Sequence, residues 1–457
     1  MSLMKSVLIG LVVLRAFPLS AAEEINSATE KAQKFWGPRS EEILILDLKE
    51  CIHRAALFNG EIQAADYDIE TAEARKDNVR KIGIPVAEYE YNVGPAPRDV
   101  SNAVESFFTG DLTVFNRVKV GVGVPLQTFG KVKTGKALAD LGIMAEKEKK
   151  MGKKAEIGLK VAQLYNGILL AREVRRLIKT AKDELAKEIK KREQHEGGDP
   201  SELLKLKLFH AEIERRVEEV DKKEIMAKEA LRVLIDVDPR VRFEIKTERL
   251  EPQLRTLPPY EKIREEALVN RSDLKQLDIL YEVRQKKLTL EKRLPTPNLG
   301  IGAFFELGRT PGITGLSATD DYTDPFNYTR AGIGLRLKGE FDFRSTASKI
   351  REAKSELMKT QIQREMAHEG SLLEVKEAYL DAQNAQQEIV RAEEAGKLSR
   401  QLLFLTQSNY DIGLAEPKDF VDAVQSFLET RGKYFEALFN YNVALAKLDQ
   451  KTGRKPE

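Results

Sequence analysis

The chain has almost no cysteine and little histidine. Cys51 is the single cysteine among 457 residues, so no disulfide closes within one chain and no thiolate cage can hold a metal. The four histidines, His53, His195, His210 and His368, lie far apart, and no two have the spacing of a helical zinc pair. Net charge is also nearly absent, with 75 basic against 73 acidic side chains. That balance excludes a basic field for nucleic acid and an acidic field for cations. Beyond the first 22 residues no run approaches 18 apolar residues, which excludes a polytopic inner-membrane transporter. No Ser/His/Asp or paired His/carboxylate constellation emerges, so neither catalysis nor a cofactor is expected.

What is present is Ala, Leu, Glu, Lys and Arg in long mixed stretches, the composition of long helices. The chain opens on Lys5, an apolar run Val7–Leu14 and the small residues Ser20, Ala21 and Ala22. This order predicts a signal peptide over 1–22, too short to span a bilayer because Arg15 and Pro18 end the apolar run. No Cys follows to carry a lipid.

The remainder repeats. Ala55-Ala56-Leu57-Phe58-Asn59-Gly60-Glu61-Ile62 resembles Ala267-Leu268-Val269-Asn270-Arg271-Ser272-Asp273-Leu274, about 210 residues later. Pro85 and Pro295 each precede an alternating stretch, and Gly198-Asp199-Pro200-Ser201-Glu202-Leu203 parallels Glu416-Pro417-Lys418-Asp419-Phe420. So long a period is a duplicated half-molecule rather than a solenoid. The expected domains are a first repeat over 23–235, a linker or equatorial segment over 236–258, a second repeat over 259–450 and a tail over 451–457. Pro239, Pro252, Pro258 and Pro259, in and just after the linker, predict a surface segment.

Each repeat reads helix, strand, loop, strand, very long helix, break, helix. The first helix is expected over 41–82. The long helices are expected from Lys131 to about Glu193 and from Thr346 to Tyr410, neither holding a Pro. At 1.5 Å per residue such helices reach about 90 Å and call for helical partners. At the breaks, Gly198 and Gly413 suit helix ends, while Pro200 and Pro417 suit first turns. Both breaks are expected to be tight hairpin tips.

Four segments alternate with period two: near 86–93, 112–124, 298–307 and 329–338. In the first, Ala87, Tyr89, Tyr91 and Val93 oppose Glu88, Glu90 and Asn92. Such strands have one apolar and one polar face. Their length suits a membrane barrel, but four strands cannot close one, and an open edge in lipid leaves backbone groups unpaired. Closure therefore calls for several chains, and three would supply twelve strands. The polar joints 94–110 and 308–328 suit the outer-side loops of such a barrel.

Gly130-Lys131-Val132-Lys133-Thr134-Gly135-Lys136 imitates a phosphate-binding loop between strand and helix. Ala137 stands where the magnesium-binding Ser/Thr belongs, the strand before it alternates, and Gly339-Glu340-Phe341-Asp342-Phe343 in the second repeat lacks the motif. Nucleotide binding is not expected.

On the duplicated order, the two strand pairs, the helix starts at 55–62 and 267–274, and the tip pattern Tyr410-x-x-Gly413 with Asp419 and Asp422, the chain resembles TolC-family outer membrane efflux proteins over roughly 40–450. The resemblance implies a mainly α fold with a small antiparallel β part: a homotrimer whose twelve-stranded outer-membrane barrel continues as a periplasmic α-helical barrel. It implies contact with outer-membrane lipid, a periplasmic adaptor (membrane fusion protein) and an inner-membrane pump. It implies a passive efflux or type I secretion conduit with an iris-like gate, not an enzyme. Tyr410 matches the tip tyrosine of constriction networks, and Asp419 and Asp422 match the acids ringing the periplasmic aperture. Glu202 takes the corresponding place in the first tip. Carboxylates three residues apart share one helix face, and three copies would form a ring. Lys205 and Lys418 beside these acids, and Ala415 where some relatives carry arginine, depart from a gate locked by salt bridges. The alternative is a soluble periplasmic coiled-coil adaptor or scaffold.

Overall fold

The computed structural model describes residues 43–194, 200–253, 255–314, 324–339, 342–412 and 414–454. The expected signal peptide and the turn glycines Gly198 and Gly413 lie outside them. The first repeat runs β1 (Ile43–Leu46), α1 (Leu48–Phe58), α2 (Gly60–Lys81), β2 (Val86–Pro97), α3 (Ala103–Thr109), β3 (Leu112–Gln127), α4 (Lys131–Glu193) and α5 (Pro200–Leu234). There follow β4 (Arg242–Ile245), α6 (Tyr260–Asn270), α7 (Ser272–Arg293), β5 (Asn298–Arg309), β6 (Tyr328–Lys338), α8 (Phe343–Asp411) and α9 (Pro417–Thr452). The fold is mainly helical with a small antiparallel sheet. The pairs α1–α2 and α6–α7 have the same lengths, 11 and 22 residues.

The expected single helix over 41–82 is instead a strand and two helices. Asp47 caps α1 by accepting from the Glu50 amide (2.9 Å), and the Glu50 carboxylate accepts from the Asp47 amide (2.7 Å). This reciprocal box fixes the helix start at Leu48, seven residues later than expected. Asn59 then breaks the helix with an extended ψ of 129°. Its side chain accepts from the Glu61 amide (3.0 Å) and donates to the Leu234 carbonyl (2.9 Å). Asn59 thus ends α1 and starts α2. Arg271 stands at the matching break of the second repeat, with ψ 122°.

The chain divides into two compact units, each drawn from both repeats. One takes the chain up to Gln63, Gly152–Arg271 and the part from Leu372 onward; the other takes Ala64–Met151 and Ser272–Ser371.

The core of the first unit packs Cys51 and Ala55 of α1 and Val161, Tyr165 and Ile168 of α4 with Leu231 of α5 and Leu438 of α9. Phe243, Ile245 and Leu250, in the segment read as an exposed linker, are buried in the same core. The correction has a simple cause. Residues 242–245 form β4, parallel to β1 with Phe243 opposite Leu44, and its alternation turns Phe243 and Ile245 inward. Glu244 turns the other way and receives Arg172 (2.8 Å) and Lys228.

The second unit holds the antiparallel sheet in the order β2-β3-β5-β6. β2 runs on past the expected strand end to Pro97. Pro95 and Pro97 lack an N–H, yet the Arg98 amide still donates to the Asp111 carbonyl (3.0 Å), so the pairing with β3 holds to the end of the strand. The joint after it, expected to be only a loop, carries the helix α3.

Candidate functional site

The tip cluster lies in the first unit, where the end of α4 and the start of α5 meet the end of α8 and the start of α9. Ile178, Leu185, Leu206 and Ile213 of the first hairpin pack with Tyr410, Phe420, Val424 and Leu428 of the second. Tyr410 and Phe420 are buried and their rings stack, with centroids 5.3 Å apart at 10°. Arg192 of α4 places its guanidinium over the Tyr410 ring, 4.4 Å from the centroid. The same guanidinium reaches Glu202 (3.4 Å) at the start of α5 and Glu188 (3.6 Å) one turn back on α4. Glu188 is buried and also receives Lys191 (3.3 Å). A carboxylate out of water needs such partners.

Of the expected site residues, Tyr410 is at the centre and Glu202 is drawn in through Arg192. The Tyr410 hydroxyl is buried and has no hydrogen-bond partner among the described residues. Burial pushes its pKa up, opposed by the nearby Arg192 charge. Asp419 and Asp422 are exposed on α9 and are not part of the packed cluster. Asp419 accepts from the Glu416 amide (3.2 Å), which makes it a helix-start residue as well as an acid of the tip. Pro200 and Pro417 are the first residues of α5 and α9.

Reading the sequence missed Arg192 and Glu188. The signal was present as a Glu-to-Arg pair four residues apart near a helix end, but many pairs along these helices have that spacing.

The phosphate-loop imitation is a capped helix start. The Lys131 amide donates to the Thr128 carbonyl (3.1 Å) and the Val132 amide to Thr128 Oγ1 (3.5 Å). Arg293 donates to the Gly130 carbonyl (3.2 Å) and to Thr134 Oγ1 (2.6 Å). Gly130 has φ 83°, and a Cβ there would lie 2.7 Å from the Arg293 guanidinium. The Lys131, Val132 and Thr134 amides of the loop are therefore already engaged.

The sheet has two different faces. Tyr89 pairs with Val120, Val120 with Phe305 and Phe305 with Ala331; Ala87, Val122, Ala303 and Ile333 form the next row of that face. Tyr89 is 88% exposed and Ile333 78%, so nothing among the described residues covers the apolar face there. β2 and β6 are its edges.

Residues 263–454 match the family described as outer membrane efflux protein. No curated protein sequence matches the chain. Three solved structures are similar over its length. A membrane protein from Pseudomonas aeruginosa is 15% identical with a TM-score of 0.74, covering 90% of this chain and 91% of its own. The Campylobacter jejuni CmeC outer membrane channel is 14% identical with a TM-score of 0.70, covering 89% and 85%. The open state of the Neisseria gonorrhoeae MtrE outer membrane channel is 16% identical with a TM-score of 0.71, covering 89% and 89%. At these identities the likeness speaks for the fold. The family match thus covers residues 263–454, and the fold of these solved structures extends over about nine-tenths of the chain.

Proposed function

We propose that three copies of this chain form the outer-membrane conduit of a tripartite efflux or type I secretion system, with a gate at the helix-hairpin tips. The carrying observation is the two-faced sheet: an uncovered apolar face, a polar face and two unpaired edge strands. In lipid, an open edge leaves backbone donors and acceptors unsatisfied at several kcal/mol each. Pairing β6 of one copy with β2 of the next removes every edge. Three copies give twelve strands, within the range of membrane barrels. The apolar face then meets lipid and the polar face lines the lumen.

The tip cluster supports the gate. Arg192 ties the first hairpin to Tyr410 of the second within one copy, and the apolar cluster beneath it has one packed arrangement. Opening would separate these hairpins by small shifts of packed helices. Asp419 and Asp422 would repeat three times around the aperture as an acidic ring. The energy would come from an inner-membrane pump reached through a periplasmic adaptor.

Membrane fractionation followed by native mass in mild detergent tests the assembly. Recovery in the outer membrane as a three-chain species of about three times 51.6 kDa, less the signals, is expected. A monomer extracted into buffer without detergent would replace the conduit by a periplasmic scaffold.

A further inference from the structure

The polar face of the sheet carries its own pattern of charge. One register row crosses all four strands as Glu90, Lys119, Glu306 and Arg330, alternating in sign. In the next row Arg117 of β3 pairs with Asn92 of β2 and Gly308 of β5, which pairs with Tyr328 of β6.

These side chains hold one another. Arg117 reaches the Glu306 carboxylate (2.8 Å) from one side, and the Tyr328 hydroxyl donates to it (2.7 Å) from the other. The Arg330 guanidinium covers the Tyr328 ring, 4.2 Å from its centroid. Only 14% of the Glu306 side chain is exposed, although it stands on an open sheet face. Gly308 makes the arrangement possible: a Cβ there would lie 2.6 Å from the Tyr328 ring, so the ring lies flat against the wall.

The rows on the other side of this cluster are lined mainly by glycine. Gly121 and Gly332 flank Phe304, with Glu88 at the β2 end of that row; Gly123, Gly302 and Gly334 follow, and Arg336 and Lys338 stand beyond them on β6. Across the whole face five cations, Arg117, Lys119, Arg330, Arg336 and Lys338, stand with three carboxylates, Glu88, Glu90 and Glu306.

We infer that this face of the sheet forms a charge filter inside the barrel, separate from the tip, that favours solutes bearing phosphate or carboxylate groups. The inference rests on the sheet being one third of a closed barrel. Three-fold repetition turns two surplus cations per chain into six around the lumen, where low-dielectric walls strengthen the field. Rings of Arg and Lys select anions in pores, and the Arg fork suits carboxylate and phosphate oxygens.

The test uses the full chain in planar lipid bilayers, with tripolyphosphate added on the side of the strand loops as the probe. Block of the open channel is expected in the wild type. Arg117→Gln combined with Lys119→Gln should raise the half-blocking concentration at least about five-fold, while Glu306→Gln should not raise it. If the double variant fails to assemble, Arg330→Gln, which leaves the Arg117–Glu306 pair in place, should weaken the block in the same direction. Conducting variants with an unchanged half-blocking concentration overturn the filter and leave the conduit standing. A wild-type chain that forms no channels overturns the conduit itself.

Discussion

The Arg192 guanidinium lies 4.4 Å above the Tyr410 ring and joins the two tip hairpins of one chain. Its contacts with Glu188 and Glu202 stay within the first hairpin, so the ring contact is the polar link to the second. A partly desolvated cation–π contact is worth about 1–2 kcal/mol. Arg192→Ala should therefore loosen the tips and raise single-channel conductance in planar bilayers. Arg192→Lys keeps the charge but not the flat stacking surface, and should fall between the two. Equal conductance of all three proteins would remove Arg192 from the gate.

Tyr410 acts through its ring rather than its hydroxyl. The hydroxyl is buried without a partner among the described residues, while the ring stacks on Phe420. Removing an unsatisfied polar group from an apolar site costs little. Tyr410→Phe should match the wild type in conductance and denaturation midpoint. Tyr410→Ala leaves a cavity worth about 3–5 kcal/mol and should destabilise the tip in thermal melts of the purified protein. A strong defect in the Phe variant would show that the hydroxyl has work in the assembled channel.

Asp419 has two separable roles. As a helix-start residue its carboxylate accepts from the Glu416 amide. As an exposed acid one helix turn from Asp422 it would contribute to the aperture's field. Asp419→Asn with Asp422→Asn preserves hydrogen-bonding oxygens but removes six charges from a trimer. Cation preference, read as the reversal potential across a KCl gradient, should fall while trimer yield holds. An unchanged reversal potential would leave Asp419 only its capping role.

The C-terminal end of α9 should loosen in acid. Glu374 of α8 receives Lys451 (2.9 Å) and Arg271 (2.9 Å). Lys451, with Arg271 beside it, holds its carboxyl below the usual glutamate range. A folded pKa below the unfolded one adds stability above the usual range that is lost as pH falls through the lowered value. The carboxylate is half-exposed, so the effect is modest. Hydrogen exchange at residues 448–454 should speed up as pH drops below about 4, after correction for the intrinsic rate. Glu374→Gln should show the faster corrected exchange already at neutral pH, with no further step in acid.

The sheet was legible in the sequence because its two faces meet different surroundings. Period-two alternation then marks most of β6, which is 11 residues long, and of β3, which is 16. The long helices were legible from composition and the lack of proline. β4 was not, because four residues are too few for a period to show and four nearby prolines point to a surface. The break at Asn59 was hidden because its cause is distant: the side chain is held by the Leu234 carbonyl, 175 positions away. Tyr410 stood out by its place in the tip pattern. Arg192 did not, since its partner ring lies on another helix and nothing local marks it.

The core that buries Phe243 has a consequence for the newly made chain. Its parts enter in the order Cys51 and Ala55, then Val161 and Tyr165, then Phe243 and Ile245, and finally Phe435 and Leu438. Synthesis proceeds from the N-terminus, so the earliest apolar stripes emerge long before the last helix that covers them. Residues 51–55 wait through some four-fifths of the sequence for their final neighbours. The core of this unit therefore cannot close until its last helix has been made.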